Sequence, residues 1–400
     1  MSLKFGREVL AIPGPSVMPD RVLAAMHRAA PNIYFGAMHD MVDSLIPDLC
    51  RVARHDGAVA IYIGNGHAAW EAAISNVFSR GDKALCLITG RFGEGWAGTA
   101  EAMGVVTERL DFGRYSGVDL DRVEQALRSD SGHQIKALVT VQTDTASTLR
   151  TDIKQLRDLL EMVGHPALLL VDAIASLGCD RLEMTDWGVD ILVAASQKGL
   201  MTPPGMAFVW ASERAMEAQK SADLVTPYWD IRPRTRGDEF YQKFCGTAPT
   251  HHLFGLREAL TMLLDEEGLE AAWRRHATLA QATWAAVEGW SNGGPIALNV
   301  ADPEQRAHSV TSVYLGGAEA TRLRQWCEAT AGLTLGIGLG MQTPEDPEAD
   351  GYLRIAHMGH VNAHMLLGTL GAMEAGLAAL KIPHGPGVAA ATKVIAAYPD

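Results

Sequence analysis

The chain is short of basic residues, of patterned cysteines and of long apolar runs. Lys and Arg number 34 against 47 Asp and Glu, a formal charge of −13. A protein that grips nucleic acid or anionic lipid needs a basic footprint, so neither is an expected partner. The five cysteines (Cys50, Cys86, Cys179, Cys245, Cys327) are odd in number, scattered and form no CxxC pair. That spacing suits neither a disulfide framework nor a zinc site and reads as reduced thiols of a cytoplasmic protein. The longest apolar run, around Pro166–Ile174, is broken by Asp172 and is too short to span a bilayer. Met1 to Ile12 carries Lys4, Arg7 and Glu8 and lacks a signal-peptide core.

What is present is an ordinary globular composition, 48% hydrophobic, which excludes a disordered chain. At 400 residues, two domains are the natural expectation, since domains run to roughly 100–200 residues. Short aliphatic runs alternate with helical stretches. Strands are expected at Val59–Ile63, Ala84–Ile88, Val105–Asp111, Ala137–Gln142, Ala167–Val171, Ile191–Ala194 and Met206–Trp210. Helices are expected near Ala68–Phe78, Leu120–Leu127 and Ile153–Val163. This alternation implies an α/β fold with a mostly parallel sheet between helical layers. After Thr250 the texture changes. His251–Glu267 and Leu269–Glu288 have helical period, with Gly268 as a C-cap, and Ser291–Pro295 is the strongest linker signal of the second half. A strand at Ser309–Leu315, a helix at Ala318–Ala331, a Gly-rich loop at Gly336–Gly340, a strand near Tyr352–Ile355 and a helix at Val361–Leu380 then suggest a smaller α+β unit. The alanine-rich tail from Pro383 to Asp400 either docks as a helix or frays.

Three features converge on one chemistry. Lys198, in Ser196-Gln197-Lys198-Gly199, follows an apolar strand and so falls at the carboxyl edge of the sheet, where open α/β folds bind ligands. Asp172 ends another apolar strand at the same edge, where an unpaired carboxylate is costly. Gly64-Asn65-Gly66-His67 joins a strand to a helix whose free N–H groups suit a phosphate. Each alone has a plain structural reading: a solvated lysine, an acid capping a loop, a common GxG turn in which Ala69 replaces the third glycine of a dinucleotide fingerprint. Together, in this order, they suit pyridoxal phosphate, which needs a lysine for its Schiff base and an acid for its pyridine nitrogen.

The chain resembles fold-type I pyridoxal-phosphate enzymes of aminotransferase class V, in the alanine–glyoxylate and serine–glyoxylate branch. The resemblance runs through Pro13-Gly14-Pro15, Gly64–His67 with Glu71-Ala72-Ala73, Val171–Gly178, Ser196–Leu200 with Pro203-Pro204-Gly205, Gly255–Leu260 and Leu353–His360. It implies an N-terminal arm over residues 1–20, a large cofactor-binding domain over 21–275 and a smaller domain over 276–400. It implies that Lys198 is the Schiff-base lysine, that Asp172 meets the pyridine nitrogen and that Ile174 packs on the ring. Gly66, His67 and Gln197 would bind the phosphate region, Phe92 would stack on the ring and Thr145 would contact its oxygen. Thr247, and Phe244 where the family often has tyrosine, would reach a partner subunit's phosphate in a homodimer. Arg354 would hold the substrate carboxylate, with Tyr34 near the entrance. The implied reaction is transamination between serine or alanine and glyoxylate or pyruvate.

The chain also departs from the family. Gln142-Thr143-Asp144-Thr145-Ala146-Ser147-Thr148 stands where the family often reads His-Asn-Glu-Thr-Ser-Thr-Gly, and Asn32–Gly36 replaces a polar Asp-His-Arg stretch. Gly336–Gly340 has no long apolar strand feeding it and reads as a flexible loop, not a nucleotide site. His251-His252 point apart on a helix. His357, His360 and His364 read as structural, and Glu345–Glu348 as a solvated loop. Two rival readings remain: a class V lyase or desulfurase, for which Cys327 is the only small-domain cysteine, and a non-catalytic cofactor-fold binding protein.

Overall fold

A computed structural model of the chain describes residues 2–398. Among the described residues, twelve strands fall into two sheets. They are β1 (Val9–Ala11), β2 (Ala58–Gly64), β3 (Lys83–Ile88), β4 (Val106–Asp111), β5 (Ile135–Val141) and β6 (Leu168–Asp172) in the first half. They continue with β7 (Ile191–Ala195), β8 (Gly205–Ala211), β9 (Ala297–Leu298), β10 (Val310–Tyr314), β11 (Leu333–Ile337) and β12 (Tyr352–Ala356).

The larger sheet has the order β2-β8-β7-β6-β5-β3-β4, and β8 alone runs against its neighbours. The expected α/β architecture with a mostly parallel sheet is therefore what forms. The unbroken apolar runs have a direct cause. In β6, Leu169 and Val171 face one core while Leu168 and Leu170 face another; in β7, Leu192 and Ala194 oppose Ile191 and Val193. Side chains alternate across a strand, so a sheet covered on both faces needs apolar residues at every position. Six parallel strands end on one edge, and the turns leaving five of them, β2, β3, β5, β6 and β7, carry most of the candidate residues.

The smaller sheet, β1-β11-β12-β10-β9, packs on a third core with the helices Leu269–Ser291 and Ala363–Ala379. Three expectations change here. Gly336 and Ile337 belong to β11, a short strand paired with both β1 and β12, rather than to a flexible loop. Gly336 sits there because a Cβ would stand 2.7 Å from Pro13 Cδ and 3.1 Å from Arg354 Cβ. Residues 9–11 are a strand of this sheet, so part of the expected arm is built into it. The Ser291–Pro295 segment joins Trp290 to Ile296 within one core and packs on Pro383 and His384, so it is a packed turn and not an interdomain linker. The tail forms the helix Gly387–Ala396, docked against Leu269–Ser291; Val388 N–H donates to Glu374 Oε2 at 2.8 Å. Of that tail, Pro399 and Asp400 lie outside the described residues, as does Met1 of the arm. The long Leu269–Ser291 helix begins in the first core at Leu269 and Ala272 and enters the third at Leu279.

Candidate active site

The strand ends converge on a cavity of about 200 Å³ lined by residues that include Gly66, His67, Asp172 and Lys198. Gly66 opens the helix Gly66–Val77, and Asn65 caps it by accepting the His67 N–H at 3.1 Å. A Cβ on Gly66 would stand 2.5 Å from Ile174 Cδ1, so glycine is what lets the helix start approach the end of β6.

Asp172 is 2% exposed. Its Oδ1 accepts the Ile174 N–H at 2.7 Å and its Oδ2 accepts the Trp70 indole N–H at 2.8 Å. Burial raises its pKa to about 7 against the pull of those two donors, and Asp144 nearby adds repulsion that Lys198 opposes. Lys198 lies three residues past β7, buried, with Nζ donating to the Pro13 carbonyl. Burial lowers its pKa to about 8, and the positive Arg354 pushes the same way. The arm is tied over this lysine: Ser16 Oγ donates to the Lys198 carbonyl at 2.7 Å and Ser16 N–H to the Gln197 carbonyl at 2.9 Å.

Asp144, fully buried, organises the opposite side. Its Oδ2 accepts the N–H groups of Phe92 and Gly93 at 2.7 and 3.2 Å, capping the helix Arg91–Ala102, and its Oδ1 accepts Ala146 N–H at 2.9 Å. One carboxylate thus fixes both Phe92 and the Thr143–Thr145 segment against the cavity. Burial raises its pKa as well. Arg354 leaves the middle of β12; Nε donates to Ile337 O at 2.7 Å and Nη1 to Thr145 O at 2.8 Å. Those bonds aim the guanidinium and leave its Nη2 without a hydrogen bond among the described residues. Burial lowers its pKa to about 10.

Eight candidates, Gly66, His67, Phe92, Thr145, Asp172, Ile174, Gln197 and Lys198, line the cavity, and Arg354 adjoins it through Thr145. The other three do not line it either. Phe244 is 1% exposed in the core against Phe240, so its ring does not project outward; Thr247 and Tyr34 are exposed. Cys327 is buried in the third core, with its thiol pushed up to about 12. His357 uses both nitrogens on Thr311 Oγ1 and the His308 carbonyl, at 2.9 Å each. Trp70, Thr143 and Asp144 were not singled out by sequence reasoning. Trp70 lies one helical turn past Gly66, but nothing local shows which way its indole turns.

The profile of the class V aminotransferase family matches residues 53–344. The chain belongs to this family. It is 33% identical to serine–glyoxylate aminotransferase from Methylorubrum extorquens, over 98% of this chain and 97% of that protein. It is 34% identical to L-aspartate–glyoxylate aminotransferase from Paracoccus denitrificans, over 82% and 80% of the two chains. The solved structure of alanine–glyoxylate aminotransferase from Nostoc sp. superposes with a TM-score of 0.83 at 27% identity, covering 94% of this chain and 96% of that one. The chain is thus a fold-type I aminotransferase whose cofactor is pyridoxal phosphate.

The residues present fit that cofactor. A helix start freed of side chain at Gly66 suits a phosphate. A deeply buried carboxylate with only partial compensation suits a protonated ring nitrogen, and a buried lysine of lowered pKa suits a nucleophilic amine. Gln197 Oε1, at the cavity wall, is buried without a partner among the described residues.

Proposed function

We propose that this aminotransferase moves an amino group between a small amino acid, serine or alanine, and a small 2-oxo acid, glyoxylate or pyruvate. The observation that carries this reading is the single guanidinium at the site. Among the described residues, no arginine lines the cavity and only Arg354 sends a guanidinium hydrogen bond to a residue that does, so one carboxylate per substrate is accommodated.

Lys198 is the covalent anchor and, once free, the base whose Nζ takes the proton from the substrate Cα. Bound in the cavity, pyridoxal phosphate supplies the reactive aldehyde and the electron-withdrawing ring. Asp172 holds a proton on the ring nitrogen by its charge. Gly66, His67 and Gln197 would receive the phosphate, Phe92 and Ile174 would hold the ring, and Thr145 would meet the ring oxygen. Arg354 takes the α-carboxylate through its outward N–H groups, for which a planar fork suits better than lysine.

The same reading places the enzyme as a cytoplasmic homodimer with an arm, a large domain and a small domain divided near residue 275. Exposed Thr247, Tyr34 (81%) and Phe35 (70%) support a partner-facing surface, and five free thiols support a reducing compartment. Phe244, being buried, contributes packing. A donor–acceptor matrix on the purified protein tests the substrate claim. Serine or alanine with glyoxylate or pyruvate is expected to give the highest kcat/KM. Aspartate as the best donor would overturn it, and the aspartate-using relative makes that arm necessary.

A further inference from the structure

Trp70 is 1% exposed and comes from the helix that begins at Gly66. Its ring stacks on Trp96 with centroids 6.2 Å apart and planes 15° apart, and meets Phe92 edge-on at 6.4 Å and His67 at 4.6 Å. Gly95 makes room for it, since a Cβ there would stand 3.2 Å from Trp70 Cζ3. The two stacked tryptophans are equally buried and differ in one respect. Trp70 Nε1 donates to Asp172 Oδ2 at 2.8 Å, whereas Trp96 Nε1 has no partner among the described residues.

An indole N–H is a donor only. It bonds well to an ionised carboxylate and cannot accept the proton of a neutral one. Asp172 faces a like charge in Asp144, an opposite charge in Lys198, and the backbone donor of Ile174 two residues along its own chain. His67 lies against Trp70 rather than against the carboxylate. The indole is therefore the one side-chain hydrogen bond to Asp172 among the described residues. We propose that Trp70 is a positioning residue: its N–H fixes the plane of the Asp172 carboxylate and holds it ionised for the ring nitrogen of the cofactor. This rests on the reading of Asp172 as the partner of that nitrogen.

Trp70→Phe and Trp96→Phe form a matched pair, each replacing an indole by a smaller ring, with only the first losing a hydrogen bond. In cofactor-free protein, pH-difference infrared spectroscopy follows Asp172 protonation, with Asp172→Asn identifying the band. Trp70→Phe is expected to raise the midpoint by about one pH unit and Trp96→Phe to leave it in place. The Kd for pyridoxal phosphate should rise roughly tenfold in Trp70→Phe and stay near the native value in Trp96→Phe. Equal shifts in the two variants, or no shift in Trp70→Phe, would overturn the proposal. Should Trp70→Phe not fold, the unsubstituted protein answers: the Trp70 indole ¹H–¹⁵N signal should titrate with the Asp172 midpoint, and a pH-independent signal overturns the proposal. If Asp172→Asn binds cofactor and turns over normally, the underlying reading of Asp172 fails, while the midpoint comparison still reports on Trp70.

Discussion

In the larger sheet the charged groups stand where strands stop; in the smaller one the charged group stands inside a strand. Asp172 is the last residue of β6, and Lys198 follows β7 by three residues. There the backbone turns away and its freed N–H groups can stabilise charge, as Ile174 does for Asp172 and as Phe92 and Gly93 do for Asp144. Arg354 is mid-strand, paired across to Ser312 and Gly336. It becomes useful only because a long side chain carries its charge off the sheet, to carbonyls of β11 and of the Thr145 loop. The first arrangement fixes groups within bond-making tolerance. The second provides reach, and it couples the two sheets through Thr145. Chemistry is therefore expected from the first and grip from the second.

Replacement of the lysine is the harshest test. Lys198→Ala is expected to lower kcat by about a thousandfold or more, through loss of anchor and base, and to remove the lysine-linked adduct seen by mass spectrometry after borohydride reduction. An adduct on another lysine would remove the larger sheet's edge from the chemistry. Next comes a pair that separates the two sheets. Asp172→Asn should cost about a hundredfold in kcat, because an amide cannot hold the ring proton by charge. Arg354→Ala should instead raise KM by roughly tenfold or more for every amino and oxo acid, with kcat less affected. Steady-state kinetics with both variants would break the comparison if the effects fell the other way.

A milder effect concerns pH. Lys198 titrates near 8 in the fold, chiefly through burial and then through Arg354, against 10.5 for an ordinary lysine. Between those values the unfolded chain binds the extra proton, so stability of the cofactor-free protein from this group is expected to rise with pH from about 8 to 10.5. Capture of pyridoxal phosphate, which needs the neutral amine, should accelerate with pH about a midpoint near 8 and level off above it. Stopped-flow absorbance measures the second, and chemical denaturation at several pH values the first. The smallest effect is at Thr148, where φ is 64°, in the left-handed region that disfavours a β-branched residue. Thr148→Gly is expected to stabilise by up to about 1 kcal/mol, offset in part by losing the hydroxyl that accepts Ser312 N–H at 3.3 Å. A small rise in Tm with unchanged kcat is the expected result, and a fall in Tm would show that the lost hydroxyl outweighs the relieved backbone.

Legibility followed the same division. Strands β2, β6, β7 and β8 were readable because two-sided burial leaves almost nothing but apolar residues in them, whereas half-exposed β4 carries Glu108 and Arg109 and was readable only as one more step of the alternation. Asp172 and Lys198 stood out against that background. Elements resting on close approach were not readable. The Arg91–Ala102 helix contains Gly93, Gly95 and Gly98, and Ala37–Ala53 contains Pro47, so propensity argues against both, and tertiary packing of Trp96 and of Val42, Leu45 and Leu49 decides. Strand β11 was hidden by Gly336, whose lack of a side chain serves Pro13 and Arg354. The departure at Thr148 was visible as a missing glycine, and its φ of 64° is one that glycine adopts more readily than a β-branched residue.

The pairing of β1 with β11 also sets an order of events during synthesis. Val9 leaves the ribosome well before its partner Leu333, which is made about 320 residues later, on the order of tens of seconds at typical rates. Until then Pro13 and Ser16 lack the sheet that carries the arm toward Lys198. The half-made chain can therefore build its larger sheet with the site lysine uncovered, and the arm closes over it only when the last quarter has emerged. A bulky N-terminal fusion would act at that closing step, leaving the nascent sheet to form as before.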